Sequence, residues 1–149
     1  MTKRIGLAFL ALVLLALVVQ PAAAQFDKAK DVARHLEKKH EYRITKEDNY
    51  LTAKHDDWLN LTVREYKSGL LLRAYLETSA YDEGDLRELC NTLNYNSTAA
   101  RMYIDNENDL IFEAWYPGEY QEKSFEAMLE AWHKDTIGQA STIKAKLGM

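Results

Sequence analysis

Four histidines and one cysteine are the side chains whose ordinary pKa values allow base, nucleophile or soft-ligand chemistry near neutral pH. His35 and His40 lie five residues apart. At 3.6 residues per turn that spacing sets them roughly 140° apart around a helix. They do not stack on one helical face, so they are expected as surface residues and not as a metal pair. Cys90 falls on an apolar stripe with no histidine or basic residue adjoining it to lower its pKa. A small buried core residue is the expectation there. Being the sole cysteine, it can close no intrachain disulfide.

The carboxylates offer little more. Asp56-Asp57 and Asp82-Glu83 are adjacent in sequence, and an acid/base pair needs two carboxylates that converge on one bond. They read as solvated residues of a turn and of a helix start. The run Asp105-Asn106-Glu107-Asn108-Asp109 invites a calcium reading, yet counting from Asp105 puts Glu107, Leu110 and Tyr116 where a calcium loop needs Asp or Asn, Gly and a bidentate acid. A polar hairpin turn is the simpler reading. There is no G-x-S-x-G elbow, no phosphate-cradling glycine loop and no H-E-x-x-H helix. A protein without catalytic residues, metal or cofactor is expected.

The elements that would position any site follow from hydrophobic spacing. Ala29, Val32, Ala33 and Leu36, preceded by Phe26, recur at helical steps through Asp27 to Lys39. Tyr42 and Ile44, then Tyr50 to Ala53, suggest short strands around the polar turn Lys46-Glu47-Asp48. Trp58 to Glu65 and Leu70 to Leu76 alternate strictly, and Lys67-Ser68-Gly69 between them predicts a hairpin turn in which glycine takes positive φ. Leu86, Leu89, Cys90 and Leu93 predict a helix over Asp82 to Asn94, with acidic residues at its positive end. Ala99 to Ile104 and Leu110 to Tyr116 form a second hairpin, with Met102, Ile104, Leu110 and Phe112 expected in the core. Phe125, Met128, Leu129 and Trp132 mark a last helix, Ser124 to Lys134, with Ser124 as its N-cap; Gly138 ends or weakens it, while Ile137 and Ile143 could extend it. The order helix, strands, helix, two strands, helix specifies an α+β fold: an antiparallel sheet with helices packed on one face.

Alternation also assigns the other face. Arg64, Tyr66, Arg73, Tyr75, Arg101, Tyr103, Glu113 and Trp115 project together if the strands are placed as read. Tyr, Trp and Arg are enriched at binding hot spots, so this face is the candidate contact surface for a partner protein or a second copy in a homodimer.

The beginning of the chain carries an address. MTKR, the apolar run Ile5 to Val19 and Ala22-Ala23-Ala24 form a secretory signal peptide with cleavage after Ala24. The apolar run is shorter than the ~20 residues that span a bilayer, so no membrane association is expected after cleavage. The expectation is a periplasmic or secreted protein with residues 25–149 as a single domain. The whole chain carries a net charge of −4, and Lys3 and Arg4 leave with the signal. With no basic cluster visible in sequence, nucleic acid is disfavoured as a partner.

Leu93-Asn94, Asn96-Ser97, Ile104-Asp105 and Leu110 to Glu113 follow a pattern that resembles the YbjN family of bacterial proteins, provisionally assigned to sensory transduction regulation. The resemblance runs roughly from Tyr42 to Ile143. It implies a fold like that of the type III secretion chaperones, whose members bind partner proteins and often dimerise, and a non-enzymatic role. The export signal departs from that pattern, since secretion chaperones work in the cytoplasm. The alternative is a periplasmic small-molecule carrier or enzyme with a pocket between the helices and the sheet.

Overall fold

The computed structural model describes residues 27–47 and 49–148. The expected signal peptide and Phe26 lie outside these residues, as does Asp48 of the first predicted turn. In chain order the elements are α1 (Asp27–His40), β1 (Arg43–Lys46), β2 (Tyr50–Lys54), β3 (Leu61–Tyr66), β4 (Gly69–Leu76), α2 (Glu83–Asn96), β5 (Arg101–Ile104), β6 (Leu110–Tyr116), α3 (Glu122–Thr136), a 3₁₀ turn (Ile137–Gln139) and α4 (Ala140–Leu147). The six strands form one sheet in the order β1-β2-β3-β4-β6-β5, every neighbouring pair antiparallel. No helix among the described residues is long and apolar enough to cross a membrane.

The α+β expectation holds. The helices cover one face, where Leu51, Leu61, Val63, Leu70, Leu72, Leu110 and Phe112 from the sheet meet Leu36 of α1, Leu86, Leu89 and Leu93 of α2, and Phe125, Leu129 and Trp132 of α3. These side chains are lost to water almost completely, and each such burial stabilises by about 1.5–3 kcal/mol. Met102 is buried with them and Ile104 packs on them half-buried. Cys90 is buried as expected, and desolvation pushes its thiol pKa up.

Helix ends explain where side chains arrive. α1 stops at His40 because Glu41 takes φ +57° and Tyr42 donates its N–H back to the Leu36 carbonyl at 3.2 Å. The chain therefore turns inward and Tyr42 is buried. Asp82 caps α2 by accepting from the N–H groups of Gly84 and Asp85, so that acidic residue is structural, as read.

Three local expectations need correction. Ser124 is not the N-cap of α3: Gln121 occupies that position, and its carbonyl accepts from Phe125 N–H at 2.8 Å. The Tyr116 hydroxyl accepts the Gln121 N–H at 2.9 Å, which fixes the start a turn earlier. The stretch from Trp58 to Asn60 is not strand, because the Asn60 side chain accepts the His55 N–H at 3.1 Å and holds a bend before β3. In the β3–β4 turn the positive φ belongs to Lys67, at +54°, and not to Gly69. Gly69 is needed for closeness: a Cβ there would stand 2.1 Å from the Tyr116 carbonyl oxygen on β6.

The link between β5 and β6 is a hydrogen-bonded polar turn. Asp105 Oδ1 accepts the N–H groups of Glu107 at 2.9 Å and Asp109 at 3.0 Å, Asp109 Oδ1 accepts Thr78 N–H at 3.0 Å, and Asn108 takes φ +66°. Its carboxylates serve the backbone.

Candidate functional site

All eight residues assigned to the open face lie on it. Register places Arg73 opposite Glu113 and Glu113 opposite Arg101, giving one cross-sheet row, while Arg64, Leu71 and Trp115 make the next. Glu113 is the hub: Arg73 Nε donates to it at 2.6 Å, Arg101 at 3.0 Å and the Tyr103 hydroxyl at 3.1 Å. Burial and the Glu113 charge together raise the Tyr103 pKa. Arg64 and Lys67 lie over the Tyr66 ring at 5.9 and 5.2 Å, and neither has a carboxylate partner among the described residues. Tyr50, Tyr66, Tyr75 and Trp115 are the large apolar side chains left open to solvent on this face, and a depression of about 330 Å³ lies between Trp115, Leu71 and the arginines. Three arginines and a lysine therefore surround one carboxylate. The basic cluster that is invisible along the sequence is assembled here by strand register.

A second constellation overturns the reading of the histidines. His35 is buried, at 4 % exposure, and His40 is half-buried. The Nε2 atoms of both approach the same oxygen, Oε2 of Glu126 on α3: His35 makes a direct hydrogen bond to it and His40 stands at 3.1 Å. The two rings stack with centroids 5.4 Å apart and planes 21° from parallel. Their angular separation on α1 is real, but α3 packs into the gap, so side chains on either flank of Leu36 close on a residue from another helix. On its far side His35 Nδ1 meets the Tyr120 hydroxyl at 2.9 Å.

The other two histidines belong to the same region. His133 lies 5.8 Å from the His40 ring and 4.1 Å from that of Trp58, which in turn stacks on His55 at 4.8 Å. His55 Nδ1 accepts the N–H groups of Asp57 and Trp58, which fixes its tautomer. Burial, reinforced by the neighbouring imidazoles of His40 and His55, lowers the His133 pKa to about 4, so it stays neutral near pH 7. Burial also lowers the pKa of His35 against the pull of Glu126. At Glu126 burial opposes ionisation, yet the hydrogen bonds and charges of His40 and His35 outweigh it and hold the carboxyl below its usual range.

Sequence spacing missed this cluster because its partners are 86 and 91 residues apart. A signal existed: His35 and His40 border the stripe containing Val32 and Leu36, and Glu126 follows Phe125 on the buried side of α3. Polar residues bordering an apolar stripe are where buried networks begin.

Further cavities open elsewhere among the described residues. One of about 720 Å³ lies between α2 and β5, beside Cys90, Asn94 and Tyr103. Another of about 290 Å³ is apolar and lies among Trp58, Leu59, Leu76, Phe112, Ile137 and Ile143. Neither gathers converging ionisable groups comparable with those at the α1–α3 junction.

Comparison of the sequence with protein-family models gives no match, and no curated protein matches it. Solved structures do resemble the fold. YbjN from E. coli, provisionally described as a transcription regulator, aligns with a TM-score of 0.55 at 13% identity over 71% of this chain and 84% of that one. An uncharacterized protein from Methanothermobacter thermautotrophicus aligns with a TM-score of 0.57 at 8% identity, over 80% of this chain and 99% of that one. The chain thus has a YbjN-like fold, and the likeness at these identities is one of fold alone.

Proposed function

We propose that this protein is an exported, non-catalytic interaction module that holds an acidic segment of a partner protein on the open face of its sheet. The observation that carries the reading is the basic and aromatic surface around Trp115, set on an acidic chain and left uncovered by every helix described. Among the described residues, Arg64, Lys67, Arg73 and Arg101 line the depression at Trp115 with Glu113 as its one carboxylate, which leaves an excess of positive charge there; Asp105, Glu107 and Asp109 lie beyond Arg73 and Tyr75. Two copies meeting through this face would oppose like charges, so charge complementarity favours an anionic partner over a homodimer. Trp115 and Tyr66 supply rigid apolar area, and the arginines supply bidentate donors for carboxylates. The fold's likeness to a protein described as a transcription regulator is consistent with a role in regulation.

The test is fluorescence anisotropy with a labelled peptide rich in Asp and Glu and carrying one aromatic residue. Trp115→Ala and Arg101→Glu are each expected to weaken binding about 30-fold, the effect of losing a hot-spot contact of ~2 kcal/mol. Unchanged affinity in folded variants would sink the reading. Tighter binding of a single-stranded oligonucleotide would hand the face to nucleic acid, and dimerisation lost in Trp115→Ala would hand it to a second copy.

Export rests on the basic start, the apolar run and the Ala22-Ala23-Ala24 site. Mass spectrometry of protein from the producing cell is expected to find a chain beginning at Gln25; one retaining Thr2 or Met1 would overturn it. The carrier or enzyme alternative is favoured by one observation, the converging imidazoles at the α1–α3 junction.

A further inference from the structure

We infer that the junction of α1 and α3 is a binding site for one divalent transition-metal ion of the Zn²⁺ class, ligated by His35, His40 and Glu126. The ligand atoms, two imidazole nitrogens and a carboxylate oxygen, all lie within 4.8 Å of one another. A tetrahedral ion with bonds of about 2.0–2.1 Å places its ligands about 3.4 Å apart. Small side-chain rotations reach that spacing, and Glu126, whose side chain is 26% exposed, has the freedom to move aside.

The donor set selects the ion. Two nitrogens and one oxygen suit zinc and its neighbours, with a fourth position left for water or an added ligand. Calcium and magnesium prefer all-oxygen shells and are disfavoured. A staple between two helices would need only one imidazole and one carboxylate. Here the second imidazole is aimed at the same oxygen, so two Nε2 atoms and a carboxylate oxygen converge on one point.

The surroundings are built for ligation as well. A metal-bound histidine is oriented by a partner on its other nitrogen, and His35 has the Tyr120 hydroxyl there at 2.9 Å. Without metal the hydroxyl donates to Nδ1 while Nε2–H faces the carboxylate. With metal on Nε2, the proton resides on Nδ1 and is donated to the hydroxyl oxygen. A hydroxyl can serve both tautomers, whereas a backbone carbonyl could serve only one. Tyr120 is therefore a positioning residue.

The experiment is a calorimetric titration of tag-free, chelator-stripped protein with ZnCl₂, repeated with CoCl₂ to read the visible spectrum of a low-symmetry site. Wild type is expected to bind one Zn²⁺ per chain, and CaCl₂ and MgCl₂ to give no comparable heat. His40→Gln and Glu126→Gln are expected to weaken Zn²⁺ binding by ~100-fold or more, and Tyr120→Phe by ~10-fold. Glu122→Gln serves as control: it is an exposed carboxylate one turn earlier on α3, bound to Lys39 at 2.6 Å, and should change nothing. Circular dichroism confirms that each variant is folded, and two ligand variants on different helices guard against the failure of one. Absence of Zn²⁺ binding by folded wild type, or affinity retained in both His40→Gln and Glu126→Gln, would overturn the assignment.

Discussion

Replacing Asp135 by alanine is expected to lower the unfolding free energy by about 3–4 kcal/mol, a large share of the ~5–15 kcal/mol available to a domain of this size. Asp135 is 2% exposed near the end of α3. Its Oδ2 accepts three consecutive backbone N–H groups, those of Thr98 at 2.8 Å, Ala99 at 2.6 Å and Ala100 at 2.9 Å. These groups form a nest that favours an anion, and the bonds tie α3 to the link between α2 and β5. Alanine would leave all three donors facing an empty site. Water can reach the exposed Thr98, but Ala99 and Ala100 are half-buried, which is why the loss is not smaller. Asp135→Asn separates charge from shape. Because all three bonds converge on one oxygen, an amide can keep them and lose only the charge, at a cost of about 1–2 kcal/mol. Urea unfolding should therefore rank wild type above Asp135→Asn and that above Asp135→Ala. Equal midpoints for all three would refute the account.

Gly69→Ala is expected to cost about 3 kcal/mol, through overpacking rather than through backbone freedom. The added methyl would lie 2.1 Å from the Tyr116 oxygen, 2.9 Å from Trp115 Nε1 and 3.0 Å from Pro117 Cα. Two of these atoms are backbone, so relief requires β6 to retreat from β4 at the Leu70 and Tyr116 pair. That pairing joins the two hairpins at the centre of the sheet. Trp115 stands on the open face beside the contact, so its emission should also change in the folded variant. A Gly69→Ala protein as stable as wild type would show that the strands separate without cost. The result bears on function as well, because the same displacement moves Trp115 relative to Arg64 and Leu71.

Much of the fold was legible because it depends on local periods. The alternation in Leu110 to Tyr116 places Phe112 inward and Glu113 outward whatever strand lies beside it, and the structure keeps those bounds. For the same reason the eight open-face residues were readable together before any pairing was known. The helical stripe of α3 was equally plain, though its continuation to Asp135, three residues beyond Trp132, ran an acid into the buried face. That misfit was the one sequence sign of the nest.

What spacing could not supply was contact between elements. Nothing in the chain says that β4 pairs with β6 across the whole of α2, and on that pairing depend both the closeness at Gly69 and the meeting of Arg73 with Glu113. The histidines make the same point more sharply. Considered on α1 alone, His35 and His40 diverge. They converge because α3 brings the Glu126 carboxylate to the Nε2 edges of both stacked rings, and packing against Phe125, 5.1 Å from the His35 ring, holds them there. Which face of each strand and helix is apolar can be read along the chain, since backbone geometry within one element fixes it. Which polar side chains meet emerges on folding, because that depends on register and helix packing between segments far apart in the chain.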